Sequence, residues 1–380
     1  MNIDNLRGQI DQIDTELVKL FKNRMQISLE IAKYKKASGM PVFDVSRERN
    51  LLHKVSESAG SDFEVYMRVF FSMLMDVSRS YQHKFLADAS TLGKKIEQAM
   101  EQTPKLFPEK AVVACQGMEG AFSQYACDKL FAIPNIMYFN TFENVIQAVS
   151  SGLCRYGVLP IENSTAGSVN QIYDLLQHHN VNIVRTARIQ VAHTLLVNKG
   201  TTLADVKEIV SHEQAFAQCS AFLSTLKNVK ITVCENTAVA AQYVAESKRK
   251  DVAAISSKSC ADLYELSVIA DSLQNNDGNF TRFICISNEL EIYPGANRTS
   301  FMMVIPHKPG ALYRVLVRFY ALGMNLVKLE SRPMPGRNFE FMFYFDVESS
   351  VYSAALLQLI GELESQIEDF RYLGSYSEMV

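Results

Sequence analysis

The sequence lacks several features that would fix its class at once. No apolar run approaches the ~18 residues that a membrane-spanning helix needs. The seven cysteines, Cys115, Cys127, Cys154, Cys219, Cys234, Cys260 and Cys285, show no CxxC spacing. An odd, scattered set reads as reduced thiols rather than a disulfide framework, and points to the cytoplasm. With the seven His they form no ligand-spaced cluster, so no metal and no other cofactor is implied. An excess of one charge is missing too. There are 38 Lys and Arg against 41 Asp and Glu, a net charge of −3, which argues against a general nucleic-acid binder. The start of the chain carries Asp4, Asp11 and Asp14 inside a helical pattern, unlike a secretory leader. What is present is 380 residues, 48% apolar, which at ~150 residues per domain predicts two to three ordinary globular domains.

Three textures follow one another. The first hundred residues have one proline, Pro41, and no strand signal. Leu6, Ile10, Ile13, Leu17, Leu20, Ile27 and Ile31 recur in steps of three and four, except where Arg24 takes a turn, predicting one long helix that ends near Gly39-Met40-Pro41. Asp44 or Ser46 caps a second helix to about Val55, and Tyr66, Phe70, Met73, Leu74, Val77 and Tyr81 mark a third. A helix of that length has no equal in its own segment to lie on, so its stripe calls for a second copy of the chain. Residues 91–108 read as a connector. From Ala111 short β-branched runs alternate with helical patterns, the grammar of an α/β domain with a largely parallel sheet, closing near Ile286. After Glu289 the order becomes strand (Thr299 to Ile305), helix (Ala311 to Leu322), strands (Asn325–Glu330, Phe339–Val347), helix (about Val351 to Glu364) and strand (Arg371–Ser375). That is the βαββαβ order of ferredoxin-like α+β domains. The expected boundaries are 1–90, 91–108, 109–288 and 297–376.

Arg24 interrupts the apolar stripe of the first helix, where a charge needs a reason. Lys35, eleven residues on, lies about 20° away in projection and ~16 Å along the axis, so the two cations can hold opposite ends of a small dianion. Arg7 is ~25 Å from Arg24 and turned by about 100°, out of reach of the same pocket but within reach of an antiparallel partner's. Asp44, Arg47 and Glu48 cluster at the start of the second helix, and Ser78 and Gln82 continue the inner face of the third. Exposed salt bridges account for any one of these residues, but not for stripe-facing Arg24 together with Ser78 and Gln82.

This set, within Leu6-Arg7, Asn23-Arg24, Lys35, Asp44-to-Arg49 and Ser78-to-Gln82, resembles the all-helical chorismate mutase family. The resemblance implies an all-α, three-helix chain intertwined in a homodimer. Arg7 of the partner and Arg24 would then hold the two carboxylates of chorismate. Lys35 and Gln82 would donate to the ether oxygen, while Asp44, Arg47, Glu48 and Ser78 would orient the ring. The residue types suit a Claisen rearrangement, which needs a compact conformer and fixed donors at a developing oxyanion, not a nucleophile.

In the middle segment, strand ends run into small polar residues before helices: Glu162-Asn163-Ser164-Thr165, Ser211-His212-Glu213-Gln214, Glu235-Asn236-Thr237 and Ser256-Ser257. Each alone reads as ordinary capping. Together, at strand ends, they suggest a pocket for a small organic acid. With Asn279-Phe280-Thr281-Arg282-Phe283 and Gln218, they resemble prephenate dehydratase from about Ala111 to Asn288. The resemblance implies two α/β subdomains about a cleft. Thr281, in the Thr281-Arg282-Phe283 triplet, would assist the departing hydroxyl as donor or relay, and Arg282 would hold a carboxylate. Asn163, Ser164, Ser211 and Gln218 would position the ring and side chain. His212 is the alternative acid.

Pro309-Gly310-Ala311-Leu312 and Leu329-Glu330-Ser331-Arg332-Pro333 resemble the two signatures of the ACT regulatory domain. That implies binding of L-phenylalanine, as an inhibitor, near Gly310, Ala311, Leu312, Glu330, Ser331, Arg332 and Pro333. Gly310 allows close backbone approach to a carboxylate. The three resemblances in this order are those of the bifunctional chorismate mutase–prephenate dehydratase family. They imply chorismate and prephenate as substrates, a homodimer or higher assembly, and no nucleic-acid or membrane partner. Two rivals remain: a non-enzymatic sensor, which would not require the cationic set or Thr281, and an enzyme with one site decayed.

Overall fold

The computed structural model describes residues 2–40, 44–86, 90–334, 336–337, 340–367 and 369–380. Pro41 and Phe339, expected at a helix end and a strand start, lie outside them. The chain divides into two compact bodies. The first is Met1–Lys95, Pro306–Gly323 and Ala354–Glu368; the second is Ile96–Ile305, Met324–Ser353 and Asp369–Val380. The carboxy-terminal segment thus gives its helices to one body and its strands to the other.

In the first body α1 (Ile3–Ala37), α2 (Val45–Ala59) and α3 (Glu64–Leu86) carry the cationic segment. Asn2 caps α1, Asp4 sits in its first turn, and Lys35 and Lys36 sit in its last, each sign matched to the helix dipole. Asp44 caps α2 by accepting from the Arg47 N–H at 3.0 Å. This helix runs four residues past its expected end at Val55. Its serines stay helical, with Ser58 bonding back to Lys54 O, and Gly60 at φ +71° makes the actual break. The stripe of α1 remains uncovered within one chain: Ile10, Ile13, Leu20 and Ile27 are all more than half exposed. The expected connector carries a further helix, α4 (Thr91–Gln102). The Ser90 side chain accepts from the Gly93 N–H at its start, and Ile96 and Ala99 give it a buried stripe. The Lys-rich composition of this stretch hid that short stripe.

The second body holds three sheets. Its strands, in chain order, are β1 (Lys110–Gln116), β2 (Ile133–Phe139), β3 (Tyr156–Asn163), β4 (Gly167–Ser168), β5 (Asn182–Gln190), β6 (Thr194–Val197), β7 (Glu208–Ser211), β8 (Lys230–Val233), β9 (Val252–Ser256), β10 (Ser267–Ala270), β11 (Phe280–Ser287), β12 (Arg298–Ile305), β13 (Asn325–Pro333), β14 (Phe341–Glu348), β15 (Arg371–Tyr376) and β16 (Glu378–Met379). The first sheet runs β16-β5-β11-β3-β1-β2, the second β10-β6-β9-β7-β8, and the third β13-β14-β12-β15. The expectation of a largely parallel sheet is corrected. β1 pairs β2 and β3 in parallel, but β11 runs antiparallel to both β3 and β5; β6 likewise runs antiparallel to β9 and β10. The cause is that the chain crosses between the two sheets twice, after β5 and before β11, and each return reverses direction. The third sheet is antiparallel throughout.

The helices between these strands are α5 (Phe122–Leu130), α6 (Phe142–Ser150), α7 (Asn170–His178), α8 (Glu213–Gln218), α9 (Ser220–Ser224), α10 (Thr237–Ser247) and α11 (Ser259–Leu263). In the first body, α12 (Ala311–Ala321) and α13 (Ala354–Gln366) follow. The first and third sheets share one core, in which Leu159, Ile161, Ile172 and Ile284 meet Met302, Tyr344, Leu373 and Tyr376. At Gly374 the third sheet passes so close to β5 that a Cβ would lie 2.1 Å from Ile183 O, so only glycine fits.

Two candidate active sites

The helical body carries an open cavity of about 480 Å³ lined by Arg24, Lys35, Asp44, Arg47, Glu48, Ser78 and Gln82. Seven of the eight residues expected for the first site therefore meet. The eighth, Arg7, points away: its side chain is 70% exposed and pairs weakly with Asp4 at 3.7 Å. The Arg24 guanidinium bonds the Ser78 hydroxyl and reaches Leu74 O at 3.4 Å, and burial lowers its pKa from the usual arginine value. Ser78 and Gln82 are buried on α3. Glu48 is held by Arg79, which also pairs with Asp76. Sequence reasoning gave Arg79 no role. Its only signal was its place between Ser78 and Gln82, and the structure makes it the counter-charge that keeps Glu48 at the wall. The arrangement presents several cations and neutral donors to one small volume, suited to binding an organic dianion and to stabilising charge that develops on an ether oxygen.

In the second body a cleft of about 530 Å³ is lined by Thr281, Phe283, Asn163, Gln218, His212 and His193, among others. Its polar groups form one chain whose directions are fixed. The Asn163 carboxamide oxygen accepts the N–H groups of Thr165 (3.0 Å) and Ala166 (2.8 Å). Its Nδ2 must therefore face the other way, donating to Thr281 Oγ1 at 2.9 Å and to Asn279 Oδ1 at 2.8 Å. Asn279 then donates to Gln218 Oε1 at 3.0 Å, and His193 Nε2 meets that same oxygen at 2.9 Å. A carboxamide oxygen only accepts, so His193 carries its proton on Nε2. Burial lowers the His193 pKa, with the Gln218 bond opposing, so the ring is held neutral. Because Thr281 accepts from Asn163, its own proton is free to point into the cleft.

Three expected contacts are corrected. Ser164 bonds Gly278 O and the Phe280 N–H, closing a loop. Ser211 is fully buried, donating to Ile255 O. Arg282 faces the other side of β11 from Thr281, because successive residues of a strand alternate. Thr281 pairs with Asn163 on the cleft side, whereas Arg282 pairs with Glu162 behind it, at 3.1 Å, and also with Asp346. His193 and Asn279, to which spacing and motifs assign no role, lie on the two crossovers between the sheets. His212 lines the cleft, and its Nδ1 caps α8 by accepting the Gln214 N–H at 3.2 Å.

Of the residues expected to take a regulator, Gly310 adopts φ +75° directly before α12, with Ala311 and Leu312 opening that helix. In the other body, Glu330 accepts from Ser168, and Arg332 makes a two-pronged pair with Asp174 at 2.8 Å. Ser331 and Pro333, alternating with these on the edge strand β13, are exposed. Among the described residues no helix is long and apolar enough to cross a membrane.

A model of chorismate mutase type II matches residues 6–83, and one of prephenate dehydratase matches residues 113–291. Over 393 aligned residues the chain is 30% identical to a bifunctional chorismate mutase/prephenate dehydratase of Enterobacter agglomerans, covering 99% of this chain and 97% of that one. The prephenate dehydratase of Arthrobacter aurescens, solved in complex with L-Phe, superposes with a TM-score of 0.65 at 27% identity, over 70% of this chain and 90% of its own. A structure described as GqqA, a novel type of quorum-quenching acylase, gives a TM-score of 0.64 at 32% identity, over 70% of this chain and 97% of its own. An enzyme with two active sites is the class these matches define. The chain belongs to the bifunctional chorismate mutase/prephenate dehydratase family.

Proposed function

We propose that the helical cavity rearranges chorismate to prephenate and that the cleft converts prephenate to phenylpyruvate. Two separate observations carry this: the convergence of Arg24, Lys35, Asp44, Arg47, Glu48, Ser78 and Gln82 on one cavity, and, in the other body, a Thr281 hydroxyl oriented by Asn163. In the first step Arg24 holds a carboxylate, and Lys35 and Gln82 donate to the ether oxygen as its bond breaks. Asp44, Arg47, Glu48 and Ser78 hold the ring, Glu48 braced by Arg79. No proton moves, so rate comes from a held conformer and from charge stabilisation.

In the second step the ring carboxylate leaves as carbon dioxide, and its bonding electrons aromatise the ring and expel the hydroxyl. The departing oxygen takes up one proton and leaves as water. Thr281 is a poor acid on its own and passes that proton as a relay, its direction set by Asn163. Phe283 lines the same wall, and Gln218 and Asn279 hold Asn163 in place.

The exposed stripe of α1 supports a homodimer in which Arg7 completes the partner's cavity, within a helical domain of residues 1–90. Residues 109–288 then form the dehydratase domain, and 297–376 a ferredoxin-like ACT domain that binds L-phenylalanine as inhibitor. The third sheet's antiparallel β13-β14-β12-β15 order supports that assignment. The reactions need no cofactor and suit the cytoplasm. Arg7→Ala and Arg24→Ala chains, mixed into heterodimers, recover part of the mutase activity; heterodimers with none would contradict the shared site. The whole reading is tested by giving purified protein chorismate with and without L-phenylalanine. Prephenate and then phenylpyruvate form, and phenylalanine suppresses them. Neither product, with phenylalanine still bound, would make the protein a sensor.

A further inference from the structure

The alternation along β11 gives its two faces different tasks. On the cleft side Thr281 pairs with Asn163; on the far side Arg282 pairs with Glu162 in the next position of the same register. Arg282 is nearly inaccessible, and its guanidinium bridges the first sheet, at Glu162, to the third. It bonds Asp346 on β14, which is 0% exposed, and lies 3.4 Å from the Tyr376 hydroxyl on β15. Tyr376 in turn approaches Asp346 at 3.3 Å and bonds Ser300 at 2.5 Å. A second tie runs parallel to the first. Lys328 of β13 reaches Glu162 at 3.0 Å and the Ser168 hydroxyl at 2.7 Å, and Ser168 lines the cleft. One contact in the cluster is half made: Arg282 Nε and Glu378 Oε1 lie 3.7 Å apart, and neither has a hydrogen-bond partner among the described residues.

We infer that Arg282 is a positioning residue, which sets the Thr281 hydroxyl in the cleft by anchoring its strand to Asp346 of the third sheet. This rests on the dehydratase reading above. A buried arginine between two carboxylates fixes its own backbone, and the next residue along a strand inherits that fix. The third sheet thereby becomes part of what holds the catalytic geometry. A shift of the sheet that stretched the Arg282–Asp346 pair would move Thr281 without touching the substrate.

The test uses the full-length chain with Arg282→Gln, Asp346→Asn and both together, comparing kcat and KM for prephenate with the mutase rate of the same preparations. Each single change lowers dehydratase kcat by about 10- to 100-fold with KM within about twofold, the size expected of a displaced catalytic group. The double variant is no worse than the poorer single, because both break one joint, and Arg282→Lys restores part of kcat. Mutase turnover stays near normal. Should the Asp346 variant fail to fold, Tyr376→Phe trims the same joint and lowers kcat by about 2- to 5-fold at unchanged KM. The inference is overturned if Arg282→Gln raises KM tenfold or more while Asp346→Asn and Tyr376→Phe are silent, for Arg282 would then be a substrate ligand. Variants all within about twofold of wild type would overturn it as well. A wild-type chain that makes no phenylpyruvate from prephenate fails at the earlier step, and so marks failure of the dehydratase reading itself.

Discussion

The two candidate sites are built by opposite means. The helical cavity is lined by charge: Arg24, Lys35 and Arg47 share it with Asp44 and Glu48. The hydrogen-bonded chain of the cleft is made of neutral groups, carboxamides, a hydroxyl and an imidazole held uncharged, ordered by bonds that begin at two backbone N–H groups. The difference follows from the chemistry. A rearrangement without proton transfer is helped by donors that do not change state. Loss of a hydroxyl needs one proton placed correctly, and that depends on which way each amide and hydroxyl points. Charge can act from a loosely held side chain, whereas direction cannot.

The largest expected break of this contrast is Thr281→Ala. Dehydration falls by about 10²- to 10⁴-fold, as for loss of a proton-transferring group, while mutase turnover of the same preparation is unchanged. Lys35→Ala does the reverse, lowering chorismate turnover by about 10²- to 10³-fold through loss of one donor to the ether oxygen and leaving prephenate turnover intact. Steady-state assays on both substrates read the two variants side by side. Salt sharpens the contrast at a smaller scale. Raising ionic strength from about 0.05 to 0.5 M raises KM for chorismate by about 3- to 10-fold, and KM for prephenate by less than about twofold, since three cations line the first site whereas the hydrogen-bonded chain of the second is neutral.

The smallest effect concerns acid stability of the cleft-bearing body. Hydrogen bonds from Thr232, Lys230 and Arg249 hold the Glu208 carboxylate down to a pKa of about 2. A depressed carboxylate stabilises the fold above the ordinary carboxylate range, and that contribution is lost as pH falls toward 2. Glu208→Gln therefore lowers the melting temperature at pH 7 by about 2–4 °C and has no effect near pH 2, measured by circular dichroism.

The first site was largely legible in the sequence because its residues lie on helices. A 3.6-residue period is enough to place Arg24 and Lys35 on one face, and the same period excludes Arg7 from that face. Arg79 escaped because a salt bridge between helices leaves no trace in spacing. The cleft was legible only as a collection of motifs. Thr281, Asn163 and Gln218 carry family signals, but which face of β11 looks into the cleft depends on the register with β3, and sequence does not print register. Arg282 was misread because it was taken as one unit with Thr281, although successive residues of a strand face opposite sides. His193 and Asn279 escaped because crossovers between sheets have no periodicity, and the same crossovers turned an expected parallel sheet into a mixed one.

Two independent chemistries share this chain. The most direct measurement follows chorismate supplied to Thr281→Ala protein, with prephenate and phenylpyruvate quantified over time. Prephenate accumulating at the wild-type rate with almost no phenylpyruvate is the predicted result. Parallel loss of both products from a folded protein would contradict the account.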